Sequence, residues 1–141
     1  MPVISYKFHP EIFRDSKTKK LASIYRPYLL IKIGNKNKWS ANFIKALVDS
    51  GADNNVFPAS FATEVGIDYK KGEPRDILGV GGIGGRTYAV FCRIQLENKK
   101  IDTMIQFGES IQMPLLGREG FFNYFDYIKF DAKRKFFEIK F

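Results

Sequence analysis

The 141-residue chain contains a single cysteine, Cys92, and a single histidine, His9. One cysteine excludes an internal disulfide and fits a reducing compartment. Cys92 stands between Phe91 and Arg93 in a strand-like run and reads as a packed thiol rather than a reactive one. One histidine, placed just before Pro10, leaves no second imidazole from which to build Ser–His or Cys–His machinery. No apolar run approaches the ~20 residues of a membrane helix. The first residues, Met1-Pro2-Val3-Ile4-Ser5-Tyr6-Lys7, lack the charged-then-apolar order of a signal peptide. Together these absences carry the expectation of an intracellular protein with no transmembrane segment. Internal repeats and low-complexity segments are also missing.

Apolar side chains make up 45% of the chain and aromatics 16%, with 14 Phe and 7 Tyr, so it can bury a real core as one domain. Net charge is +8, from 23 basic and 15 acidic residues. Residues 1–45 hold ten Lys/Arg against two Asp/Glu, whereas residues 46–141 balance at 13 of each. Such an excess could draw nucleic acid or an anionic surface, but the lysines are scattered and no RNA-binding aromatic motif accompanies them, so an ordinary solvated face is the simpler reading.

Short alternating runs broken by frequent turns predict an all-β protein. Val3–Phe8 reads as a strand stopped by His9-Pro10, and Asp15–Lys20 as a loop or flexible arm. Tyr28–Gly34 and Trp39–Val48 read as two strands around a turn, and Phe57–Val65 as a short helical turn or a strand entry. Ile77-Leu78 and Arg86–Leu96 read as arms of a hairpin, and Lys100–Phe107 follows as the next strand. Leu115-Leu116 is a short buried strand. Arg118–Tyr124 is the expected helix, and Tyr127–Phe130 with Phe136–Phe141 forms a terminal hairpin. Residues 1–20 are set apart as a basic extension from a domain over 21–141.

Three elements carry chemistry. The first is Leu47-Val48-Asp49-Ser50-Gly51-Ala52-Asp53-Asn54, in which apolar residues deliver one carboxylate onto a tight turn beside a glycine. Turns are commonly built from such residues, so the tripeptide alone is weak. Two copies of it across a two-fold axis would be a catalyst. Adjacent carboxylates share one proton, so one activates water while the other donates to a carbonyl, with no metal or cofactor required. The second is Gly79-Val80-Gly81-Gly82-Ile83-Gly84-Gly85, five glycines in seven residues, a hairpin tip whose backbone can approach a ligand closely. It lacks the Lys-Ser/Thr and the following helix of a phosphate loop. The third is Pro114-Leu115-Leu116-Gly117-Arg118. A cation at a helix start opposes the dipole, so Arg118 calls for a carboxylate partner, and Asp53 is the candidate.

In this order the three elements resemble the retropepsins, the dimeric aspartic proteases of retroviral type. The resemblance covers about residues 21–141 and implies an acid-protease half-barrel with a glycine-rich flap and one short helix. It implies a homodimeric endopeptidase acting on peptide or protein substrates. Asp49 would be catalytic, supported by Ser50 and Gly51. Ala52, Asp53 and Asn54 would contact substrate, with Gly81, Gly82 and Ile83 closing over it. Val80, Ile83, Met113 and Leu115 would line pockets for bulky apolar side chains, and Arg118 would support Asp53. A non-catalytic peptide clamp of the same fold and an anionic-surface or nucleic-acid binder are the competing readings. In retroviral members the chain ends interleave to form the dimer sheet. The longer ends here imply a different construction.

Overall fold

The computed structural model describes residues 2–78 and 84–141. In chain order the first strands are β1 (Val3–Lys7), β2 (His9–Arg14), β3 (Leu21–Arg26), β4 (Tyr28–Asn35), β5 (Lys38–Trp39), β6 (Ile44–Val48) and β7 (Asn55–Pro58). Helix α1 (Ala59–Glu64) and a 3-10 turn at Tyr69–Lys71 precede β8 (Glu73–Leu78), β9 (Gly84–Leu96), β10 (Lys99–Gly108) and β11 (Leu115–Leu116). A second 3-10 turn, Phe122–Tyr124, leads to β12 (Tyr127–Asp131) and β13 (Phe136–Lys140). No helix among the described residues is long and apolar enough to cross a membrane.

The chain divides into two compact units, Met1–Tyr28 with Phe125–Phe141, and Leu29–Tyr124. In the first, β13 lies between β1 and β12, antiparallel to both. Both of its hydrogen-bonding edges are therefore occupied by its own chain. Alternation buries Phe137 and Ile139, and Tyr6 stacks on Phe137 at 5.3 Å with Phe130 at 5.9 Å. β2 and β3 form a separate antiparallel pair. Pro10 does not end the strand region. It starts the new hairpin, facing Tyr25 across a two-stranded ribbon that tolerates its missing N–H. The Asp15–Lys20 run is the turn of this hairpin, so residue 20, the boundary suggested by the sequence, lies inside it. Asp15 accepts the Lys17 and Thr18 N–H groups at 2.8 and 2.9 Å. These bonds, that from Thr18 foremost, hold its carboxyl below the usual range.

In the second unit the pairing runs β4–β6–β11–β7–β10–β9 and returns to β4, which closes a barrel around Ile31, Ile33, Phe57, Ile94, Ile105 and Phe107. β8 extends the sheet beyond β9, and β5 pairs with β4. The expected second strand, Trp39–Val48, is split. Ser40 is buried, its N–H donates to Ile33 O at 2.8 Å and its Oγ accepts the Ile33 N–H at 3.2 Å, so the ladder ends there and resumes at Ile44.

The α-helix lies within Phe57–Val65, where a short helical turn is one of two readings, and not at Arg118–Tyr124. Ala59–Glu64 forms it, burying Ala59 and Ala62, while Arg118–Tyr124 is a run of turns closing in the 3-10 segment. The reason is local. The Gly120 carbonyl, which an α-helix would bond to the Tyr124 N–H, accepts instead from Asn55 Nδ2 at 2.8 Å and Thr103 Oγ1 at 2.7 Å. Tyr124 N–H turns to the Phe121 carbonyl.

Cys92 is buried in β9, and burial pushes its thiol up to about 12. The folded state thus favours the protonated thiol. Its contribution to stability is complete below the ordinary thiol range and is lost as pH rises toward 12. A maleimide or disulfide reagent at neutral pH is expected to leave Cys92 unlabelled in the folded protein and to label it fully in denaturant. Rapid stoichiometric labelling of the native chain would contradict the buried thiol.

Candidate active site

Strand β6 buries Ile44, Ala46 and Val48 on one face. The next residue, Asp49, leaves the strand half-buried. What fixes its position is the insertion of β11 between β6 and β7, two strands that follow one another in the chain. β11 runs parallel to β6, with Leu115 beside Leu47 and Leu116 beside Val48, and antiparallel to β7 through Leu115 and Val56. The segment Asp49–Asn54 must therefore pass around the end of β11. Leu47 N–H donates to Pro114 O at 2.9 Å and Asp49 N–H to Leu116 O at 3.0 Å, so the backbone of the acid is held by the inserted strand.

The turn is internally braced. Ala52 N–H donates to Asp49 O at 3.1 Å, and Gly51 N–H donates to Asp49 Oδ1 at 2.9 Å. A Cβ at Gly51 would stand 3.2 Å from that oxygen, so glycine here provides room for the carboxylate. Across the turn, Arg118 N–H donates to Ala52 O at 2.9 Å and Glu119 N–H to Asp53 O at 2.8 Å. At Gly117 a Cβ would collide with the Asn54 backbone, 2.7 Å from its nitrogen. Only glycine allows the two chains to approach this closely.

Arg118 forms an ion pair with Asp53. The helix-dipole argument for that pair does not apply, because Arg118 begins a turn rather than a helix. The backbone rungs of Ala52 and Asp53 bring the two side chains together. Both are more than half exposed, at 53% and 72%, so the pair orients the loop and adds little to stability.

Asn55 is a residue that the sequence reading misses. It is fully buried at the start of β7. Its Nδ2 donates to Met104 O at 3.1 Å and Gly120 O at 2.8 Å, and its Oδ1 accepts the Gly117 N–H at 3.0 Å. One side chain thus joins β10, the Gly117–Gly120 turn and the acid-bearing loop. The available signal is the polar residue immediately before the apolar pair Val56-Phe57. A polar group carried into a core needs partners on every side.

Asp49, Gly51, Ala52, Asp53 and Asn54 line a cavity of about 450 Å³, with Leu115 beside them. The same cavity is walled by Arg75, Asp76 and Ile77 of β8, Val56 of β7, Gln106 of β10, and Ile111. None of these six is singled out by the sequence. Ser50 is exposed, and neither it nor the half-buried Met113 lines the cavity. The loop that brings in Ile111 is anchored at Glu109, which accepts the Tyr69 hydroxyl at 2.8 Å and meets Lys70 Nζ at 3.5 Å. Those contacts, the hydroxyl foremost, hold the Glu109 carboxyl below its usual range. Val80, Gly81, Gly82 and Ile83 lie outside the described residues. The strands that flank them pair in register, from Glu73 opposite Ala89 to Leu78 opposite Gly84.

A barrel whose acid-bearing turn is threaded around a short inserted strand, with a long hairpin arm walling the same cavity, defines an all-β protein of the acid-protease type. The chain belongs to the retroviral aspartyl protease family, whose model matches residues 23–122. Among solved structures it is similar to EIAV protease complexed with the inhibitor HBY-793, with a TM-score of 0.52 and 24% identity over 67% of this chain and 83% of that chain. No curated protein matches the sequence.

Proposed function

We propose that the protein is an aspartic endopeptidase, active as a homodimer in which Asp49 of each copy contributes one carboxylate. The observation that carries this reading is the half-buried Asp49 itself, held by backbone bonds on the wall of a cavity large enough for substrate side chains. The cavity's two other acids, Asp53 and Asp76, are ion-paired with Arg118 and Arg86. Family membership supports the chemistry. A single carboxylate cannot take a proton from water and give one to the carbonyl in the same step, so the mechanism calls for the partner's Asp49.

The two carboxylates share one proton. The ionised one takes a proton from water as its oxygen attacks the scissile carbonyl carbon. The protonated one gives its proton to the carbonyl oxygen, yielding a neutral gem-diol. Collapse re-forms the carbonyl, breaks the C–N bond and delivers a proton to the leaving nitrogen, which restores the shared-proton state. Gly51 N–H, bonded to Asp49 Oδ1, keeps the carboxylate oriented through both steps. Ser50 is assigned to support across the two-fold axis. Val56, Ile77, Ile111 and Leu115 present apolar surface to the cavity, which favours cleavage between bulky apolar residues. Val80, Ile83 and Met113 extend that preference by resemblance, with Gly81 and Gly82 closing over the substrate backbone.

Digestion of a peptide library, with and without a hydroxyl-bearing transition-state mimic, tests this function. Cleavage sites flanked by bulky apolar residues and suppressed by the mimic are expected. Activity per protomer is further expected to fall on dilution, in step with the loss of dimer mass by light scattering. Undiminished specific activity in samples shown to be monomeric would sink the dimer.

A further inference from the structure

The β2–β3 hairpin carries a surface that the peptidase reading does not use. Register places Pro10, Ile12 and Arg14 of β2 on one face with Leu21, Ser23 and Tyr25 of β3. All six are exposed, Ile12 at 70% and Leu21 at 68%. The outward face of a two-stranded ribbon is ordinarily polar. This one holds no acid, and its only charge is Arg14.

The turn at its end adds Lys17, Lys19 and Lys20, none of which forms an ion pair with an acid among the described residues. The one acid of the turn, Asp15, is engaged by the Lys17 and Thr18 N–H groups. The unit containing the hairpin, Met1–Tyr28 with Phe125–Phe141, has 11 Lys/Arg against five Asp/Glu, so it holds +6 of the chain's +8. Of the +8 carried by residues 1–45, residues 1–28 bring +4 into this unit, and Phe125–Phe141 adds +2.

We propose that the β2–β3 hairpin docks on an anionic lipid surface, with Ile12 and Leu21 entering the headgroup–acyl boundary and Lys17, Lys19 and Lys20 meeting lipid phosphates and carboxylates. Exposed aliphatic side chains beside unpaired lysines are what such a boundary accommodates. Charge argues against a second copy of the chain as the occupant. A two-fold contact through this face would set each cationic turn against an equally cationic surface. Side-chain type favours lipid over nucleic acid, because the two most exposed apolar residues of the face are aliphatic and its one ring, Tyr25, is less exposed at 47%.

The full chain can be tested by co-sedimentation with vesicles of phosphatidylcholine alone and of phosphatidylcholine enriched in phosphatidylserine. Binding is expected only to the phosphatidylserine vesicles and should weaken as salt rises. Ile12→Ser with Leu21→Ser should lower the partition coefficient about tenfold. Lys17→Gln, Lys19→Gln and Lys20→Gln together should lower it about a hundredfold. Several results would overturn the proposal. One is no binding to either vesicle, and another is binding indifferent to lipid charge or to both variants. Binding of a single-stranded oligonucleotide that survives the Ile12 and Leu21 changes would also count against it. So would a halving of solution mass by those changes, since the face would then be covered by a second copy.

Discussion

Replacing Asp49 by asparagine is expected to lower peptidase activity by at least about a thousandfold, because it removes both the base and the acid from the paired site. The fold should survive. An asparagine Oδ1 can still accept the Gly51 N–H that Asp49 Oδ1 accepts at 2.9 Å, and the backbone bonds of residue 49 to Leu116 and Ala52 do not involve the side chain. Stability should change by no more than about 1 kcal/mol. A mixing experiment makes the prediction sharper. If wild-type and Asp49→Asn chains exchange freely, a dimer with one carboxylate is inactive, and activity should fall as the square of the wild-type fraction. A linear fall would mean that one Asp49 suffices, and the two-carboxylate mechanism would be lost. Melting curves and circular dichroism on the variant separate loss of chemistry from loss of fold.

How far this site can be read from the chain depends on which physical signal each part leaves. The alternation Ile44-Lys45-Ala46-Leu47-Val48 is legible, because one-sided burial imposes a period of two. The terminal hairpin is legible for the same reason, in Phe137 and Ile139. The insertion of β11 between β6 and β7 is not, because a two-residue strand has no period and its neighbours are distant in sequence. That insertion is what turns Asp49–Asn54 around a strand end and brings Arg118 to Asp53. The Asp53–Arg118 pair is thus found by charge reasoning whose premise, a helix start at Arg118, the fold does not supply. The helix is misplaced because local propensity cannot register that Thr103 and Asn55 capture the Gly120 carbonyl. Ile111 lines the cavity where Met113 is expected, since the loop from Glu109 to Pro114 follows no regular period that would say which side chains face inward, and Ile77 joins it from β8. The amide of Asn55 is hidden among turn-forming neighbours, although the acid-bearing loop depends on it.

Asn55 therefore makes the strongest stability test. Asn55→Leu keeps a similar volume but leaves the buried Gly117 N–H without its acceptor and the Met104 carbonyl without the amide donor. Orphaning buried groups costs about 1–3 kcal/mol each, so a loss of about 3–5 kcal/mol in urea unfolding is expected. Activity should fall with it, because Gly117 packs directly on the Asn54 backbone that completes the Asp49 turn. Asn55→Asp provides an internal check with a different pH signature. One carboxylate oxygen can still accept the Gly117 N–H, but the other would face the Gly120 and Met104 carbonyls that Nδ2 contacts at 2.8 and 3.1 Å. Repulsion and burial both favour the protonated acid, which can donate to Gly120 O, so the new carboxyl is raised in the folded state. A group raised on folding stabilises most below its unfolded range and loses that contribution as pH rises. Asn55→Asp should consequently approach wild-type stability near pH 4 and fall well below it at pH 7, whereas the deficit of Asn55→Leu should not depend on pH. Equal deficits for the two variants at both pH values, or an Asn55→Leu protein within about 0.5 kcal/mol of wild type, would show that the amide does not hold the loop.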